Sequence, residues 1–179
     1  MVTMEEFWVF GYGSLMWNPG FAFEEREQGI VHGYRRALCV YSHIHRGTPE
    51  RPGLVLGLDW GGSCHGMGFR IGEQNWAAAL DYLRAREQVT MVYREVTTRL
   101  RLLKSGRIVR ALAYAVDRNH QQYAGRKSLS ELVDLARQGT GQSGKCTDYV
   151  FNTLTHLREM GINDAELEAV AAKLKASDH

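Results

Sequence analysis

Cysteine is scarce in this 179-residue chain. The three present, Cys39, Cys64 and Cys146, are odd in number and contain no C-x-x-C pair. That argues against a disulfide framework and against a cysteine zinc site. No apolar run approaches the ~18 residues of a membrane-spanning helix. Neither sign of charge dominates: the formal net charge is +2, too balanced to make nucleic acid or an acidic membrane the main partner. The first residues carry no basic stretch followed by an apolar core, so no secretory leader is expected and a reducing cytoplasm is the expected compartment. Proline is rare, and two of the three prolines, Pro49 and Pro52, fall in one short segment.

What is present is ordinary globular composition, 44% apolar and 23% charged. That is enough to bury a core without metal or disulfide. At 20.3 kDa, residues 1–179 are expected to form a single domain. Thirteen of the 19 glycines lie in residues 1–72, so the front half should consist of strands and turns. Strands are expected over 8–12, 30–43, 54–58 and 65–70, with Gly61-Gly62 as a turn between the last two. Residues 73–87 follow with a helical period. A hairpin over 94–103 and 107–116 turns at Ser105-Gly106, and helices over 128–138, 147–160 and 164–176 close the chain. Ser128-x-x-Glu131 and Asn163-x-x-Glu166 have the spacing of helix N-terminal caps. Strands precede helices without strict alternation, which predicts an α+β fold: a small mixed β-barrel or sheet flanked by helices.

Four segments are candidates for chemistry. Gly11-Tyr12-Gly13-Ser14-Leu15-Met16 follows a strand. It is either a tight turn or a nest of backbone N–H groups for an anionic or carbonyl oxygen. As a dinucleotide fingerprint it lacks the third glycine, because Met16 stands there. Residues 139–146 read G-x-x-x-x-G-K-Cys. Cysteine replaces the magnesium-binding hydroxyl of a phosphate loop and a helix precedes in place of a strand, so a glycine-rich connection between helices fits better. His43-x-His45 shares a strand face, but no third ligand of sensible spacing stands out, and no metal site is assigned. Arg46 beside it is suited to a carboxylate.

Glu87 is the most informative single residue. Trp76, Leu80, Leu83 and Glu87 fall on one helix face, because eleven residues return to within ~20° of the same direction. A carboxylate on an apolar stripe at a helix C-terminus has its pKa raised by burial and by the helix dipole. Such a group serves as general acid and base. The alternative is a side chain that frays outward or pairs with Arg84 or Arg94.

In combination these segments resemble the γ-glutamyl cyclotransferases, specifically the ChaC branch. The resemblance is carried by residues 10–17 (FGYGSLMW), 45–50 (HRGTPE), 52–55 (PGLV), 82–87 (YLRARE) and Thr147-Asp148-Tyr149. Two positions depart from the family pattern. Thr90-Met91-Val92-Tyr93 stands where Gly-Gly-Tyr is common, and Ser42 stands where some members have an acid. The resemblance implies a small mixed barrel with helices around it. It implies cleavage of glutathione to 5-oxoproline and Cys-Gly without cofactor or metal, with Glu87 as general acid/base. For such a substrate the glycine turn is expected to supply contacts from Gly11, Tyr12, Gly13, Ser14, Leu15 and Met16. Arg46, beside a loop stiffened by Pro49 and Pro52, is expected with Tyr149 to meet the distal carboxylate. The alternative is that Arg46 pairs with Glu50 or another acid and only holds the loop. The alternatives carried forward are a cyclotransferase for other γ-glutamyl amines and a catalytically silent γ-glutamyl-binding protein. A P-loop NTPase is a third and weaker one.

Overall fold

The computed structural model describes residues 6–87 and 91–176. These fall into two compact units. The first comprises the described residues within Met1–Arg36 and Leu58–Val116, and the second those within Ala37–Gly57 and Asp117–His179.

In the first unit, β1 (Phe7–Gly11) leads into a 3₁₀ turn, Ser14–Met16. The long strands β2 (Glu25–Ser42) and β3 (Gly53–Ile71) each begin or end in the second unit. Helix α1 (Glu73–Glu87) and the hairpin strands β4 (Tyr93–Leu102) and β5 (Ile108–Val116) complete the unit. The strands close a barrel in the order β1-β3-β2-β4-β5. β1 runs antiparallel to β3, with Gly11 opposite Met67, and parallel to β5, with Trp8 opposite Ala111. The barrel and helices expected from sequence are therefore found.

Strand alternation distributes β1 between two cores. Trp8 and Phe10 join Val31, Leu58, Leu100, Leu102 and Ala113 in one cluster. Val9 faces the other way and packs with Leu15 of the 3₁₀ turn, Ala79 and Leu83 of α1, and Tyr114 of β5. This second cluster holds the glycine turn and helix α1 against the same strand.

Two local expectations are corrected. Residues 54–58 and 65–70 are not separate strands but parts of β3, which continues through Gly61 and Gly62 at φ of 95° and 77°. Both angles lie in the region that side chains avoid, and the strand continues through the pair.

The second unit contains α2 (Leu129–Gln138), a minimal hairpin of β6 (Thr140–Gly141) and β7 (Gly144–Lys145), then α3 (Cys146–Glu159) and α4 (Ala165–Ala176). Ser128 caps α2 as its spacing predicts, accepting a bond from the Glu131 N–H at 3.2 Å. The cap of α4 is one residue later than expected: Asp164 Oδ1 accepts from Leu167 N–H at 3.0 Å. The Glu166 carboxylate instead accepts from Leu38 N–H at 2.8 Å, a long-range contact that the capping pattern cannot reveal.

Candidate active site

The glycine turn belongs to the first unit. Met16 N–H donates to Gly13 O at 2.9 Å and Asn18 N–H to Ser14 O at 2.8 Å. The amides of Gly13, Ser14 and Leu15 thus stand ahead of the first donor that the turn itself uses. A side chain at Gly11 would press against Leu15 Cβ at 3.2 Å and Met16 N at 3.4 Å. The carbonyl of Tyr12 is fixed by Arg36, whose Nε donates to it at 2.6 Å and whose Nη2 donates to His65 O at 2.6 Å. Arg36 is buried. It is not among the residues singled out from the sequence. The available signal was Arg35-Arg36 within a strand, which sends two guanidiniums to opposite faces and so requires one of them to find acceptors inside.

Glu87 ends α1, as its periodicity predicts. Ala79 and Leu83 are buried on this helix, with Trp76 and Leu80 half-buried. The Glu87 side chain retains only 19% exposure, and its ion-pair partner is Arg86, with Nε at 3.8 Å. Arg84, one alternative partner, is engaged by Glu95 through two bonds of 2.6 and 3.2 Å. Burial pushes the Glu87 carboxyl above its ordinary range, and the Arg86 charge opposes this in part. Close by, Tyr114 Oη donates to Glu95 Oε1 at 3.0 Å. Burial and this bond hold the phenol far above its usual pKa, so it stays neutral.

The raised pKa has a consequence for stability. The unfolded carboxyl loses its proton at lower pH than the folded one, so ionising Glu87 disfavours the folded state as pH rises through the folded pKa. Below the unfolded value the penalty is absent. Glu87→Gln is therefore expected to melt at higher temperature than the wild type at neutral pH. The gap should close as pH falls toward the ordinary carboxylate range. Melting curves across that range check this, and a gap independent of pH contradicts it.

Arg46 and Tyr149 stand together in the second unit. The Arg46 guanidinium lies over the Tyr149 ring, 5.6 Å from its centroid, and Nη1 donates to Lys145 O at 3.1 Å. Its backbone N–H donates to Ser42 Oγ at 2.9 Å, so Ser42 caps this turn with a hydroxyl. Tyr149 Oη accepts from Leu56 N–H at 2.9 Å, which fixes the ring. No carboxylate among the described residues pairs with Arg46, and the contact with Glu50 is not formed. His45 Nδ1 lies 2.9 Å from Ser143 Oγ, and the His43 ring stacks on Tyr41.

The 139–146 segment is occupied by backbone pairing. Gln142 N–H donates to Ile44 O at 2.8 Å and Ser143 N–H to His45 O at 2.9 Å. A Cβ at Gly139 or Gly141 would overlap the carbonyl oxygens of Arg46 or Ile44. These glycines serve close backbone approach. Gly141→Ala is expected to destabilise the protein by about 1–3 kcal/mol, the usual cost of overpacking, whereas Lys145→Ala should leave turnover within a few-fold. Denaturant titration and initial rates measure the two, and magnesium-dependent ATP binding lost in Lys145→Ala would reverse the assignment.

Of the departures from the family pattern, Thr90 lies outside the described residues. Met91 is exposed at φ 61°, in the left-handed region. A glycine would take that angle without strain.

A closed five-stranded barrel thus carries a glycine turn and a half-buried carboxylate at the end of α1. The family described as ChaC-like protein matches residues 7–177, and the chain belongs to that family. It is 33% identical to the glutathione-specific γ-glutamylcyclotransferase of Escherichia coli (strain K12), over 94% of this chain and 72% of that protein. It is 30% identical to γ-glutamylcyclotransferase 2-3 of Arabidopsis thaliana, over 94% and 88% respectively. In fold it is similar to the crystal structure of the γ-glutamyl cyclotransferase specific to glutathione from yeast. That match has a TM-score of 0.85 at 22% identity and covers 96% of each chain.

Proposed function

We propose that this protein cleaves glutathione by intramolecular cyclisation, giving 5-oxoproline and Cys-Gly, with Glu87 as general acid and base. The observation that carries the site assignment is the half-buried Glu87 carboxylate at the end of α1, with its pKa raised by desolvation. Membership of a family whose relatives bear that activity in their names supports the substrate.

The reaction asks little of a protein. The α-amine of the γ-glutamyl group attacks its own γ-carbonyl, a five-membered ring closes, and the bond to the cysteinyl nitrogen breaks. Both reactants are on one molecule, and well-oriented intramolecular reactions reach effective molarities of ~10⁵–10⁸ M. The amine arrives as ammonium and must lose a proton, while the departing nitrogen must gain one. A single carboxyl with a raised pKa does both in turn. The amides of Gly13, Ser14 and Leu15 would meet the γ-glutamyl head or the developing oxyanion, with Gly11, Tyr12 and Met16 shaping the turn. Arg46 and Tyr149 would meet the carboxylate of the terminal glycine.

The whole chain is proposed to act as one cyclotransferase domain in the cytoplasm. Three buried free thiols agree with a reducing compartment, and no helix of the described residues is long and apolar enough to cross a membrane.

Incubation of purified protein with glutathione, with release of 5-oxoproline and Cys-Gly followed by chromatography, tests the proposal. Turnover is expected without added ATP and in the presence of EDTA. Binding without turnover would favour a silent binding protein. Preference for other γ-glutamyl amines would keep the chemistry and change the substrate.

A further inference from the structure

Arg86, immediately before Glu87, has a set of contacts that no general surface role requires. Its Nη2 donates to Ser14 Oγ at 2.8 Å and its Nη1 to Asn18 O at 2.6 Å. Nη1 also lies 3.2 Å from Tyr82 Oη and 3.4 Å from Pro19 O. The Asn18 N–H in turn donates to Ser14 O. Residues 14–18 therefore form a closed loop that one planar guanidinium grips at its first side chain and its last carbonyl. The side chain of Arg86 is itself only 21% exposed, with Nε 3.8 Å from Glu87 Oε1. Gly20 extends the fit: a Cβ there would overlap the Tyr82 hydroxyl.

We propose that Arg86 is a positioning residue for the cyclisation. It locks the glycine turn onto the last turn of α1 and presents its positive charge to the Glu87 carboxylate. The proposal rests on the assignment of Glu87 as acid/base and of the turn as the seat of the γ-glutamyl head. Two physical effects follow from one side chain. The rigid fork holds Ser14 and Asn18 at a fixed spacing, which a single ammonium on a flexible stem cannot reproduce. The charge favours the ionised carboxylate against the burial that disfavours it. The other groups near Glu87 are already committed. Tyr114 on β5 is a neutral donor to Glu95, and Glu95 on β4 is neutralised by Arg84. Among the described residues Arg86 is thus the cation that acts on Glu87.

The test is kcat and KM for glutathione as a function of pH in the wild type, Arg86→Met and Arg86→Lys, with Glu87→Gln as control and circular dichroism to check folding. In Arg86→Met the acid limb of the kcat profile should move to higher pH, and kcat at its plateau should fall by about 10²-fold, the scale for a reacting group displaced by ~1 Å. In Arg86→Lys the limb should stay near the wild-type position while kcat still falls. A folded Arg86→Met whose limb has not moved overturns the proposal. Wild-type kcat in Arg86→Lys also overturns it, and that variant decides the matter if Arg86→Met does not fold. Turnover surviving in Glu87→Gln would instead overturn the underlying assignment of the acid/base, whatever the arginine variants do.

Discussion

Glu87→Gln is expected to fold and to turn over glutathione at least about 10²-fold more slowly than the wild type, within the 10²–10⁴-fold usual for loss of a general acid–base group. The substitution keeps the size and shape of the side chain. On the proposed mechanism it removes the group that would take a proton from the attacking ammonium and return it to the leaving nitrogen. The loss should appear in kcat more than in KM, because the amide still fills the same space beside the substrate. Wild-type activity should fall as pH drops through the raised pKa of Glu87, since the carboxylate must be ionised to accept the first proton. The Gln variant should lose that limb. Steady-state rates across pH, with circular dichroism to confirm folding, measure both. Near-normal activity in a folded Gln variant would remove Glu87 from the mechanism.

The second large effect concerns specificity. Arg46→Met should lower kcat/KM for glutathione roughly 10–150-fold while changing that for γ-glutamyl-cysteine far less. Such a ratio corresponds to a charge-assisted hydrogen bond of about 1.5–3 kcal/mol. Glutathione differs from the dipeptide by its terminal glycine and that glycine's carboxylate. Arg46 is a half-buried guanidinium stacked over Tyr149, whose intramolecular acceptor is a neutral carbonyl, Lys145 O. Its charge thus has no carboxylate partner among the described residues. One bond uses one of five N–H donors, and the planar fork suits a carboxylate. Because the arginine also ties two backbone segments together, the ratio between the two substrates is the informative quantity. An equal fall for both would make Arg46 structural.

Periodicity placed helix α1 at its observed limits, since apolar spacing and helix ends are local properties. The same local signals found Ser128 as a cap and the hairpin of β4 and β5. They failed at Gly61-Gly62, because two glycines in sequence signal a change of direction without saying whether pairing continues beyond it. They failed again at Asn163, where the adjacent Asp164 took the capping role and Glu166 reached a distant backbone amide. The partner of Glu166, the Leu38 amide, lies far away in sequence.

The sequence by itself determined the strand-then-helix order, the carboxylate on the apolar stripe, the glycine turn after a strand and the mismatch of residues 139–146 to a phosphate loop. Each of these depends on residues within about a dozen positions of one another, where backbone geometry fixes the outcome. Only the tertiary structure decided what the charges do. Arg36 reaches the carbonyls of Tyr12 and His65, and Arg86 grips Ser14 and Asn18. Arg84 is taken by Glu95, so Arg86 is the cation left beside Glu87. A long guanidinium selects among acceptors brought together by folding, and burial sets how strongly each choice counts. Neither is written in the spacing of residues along the chain.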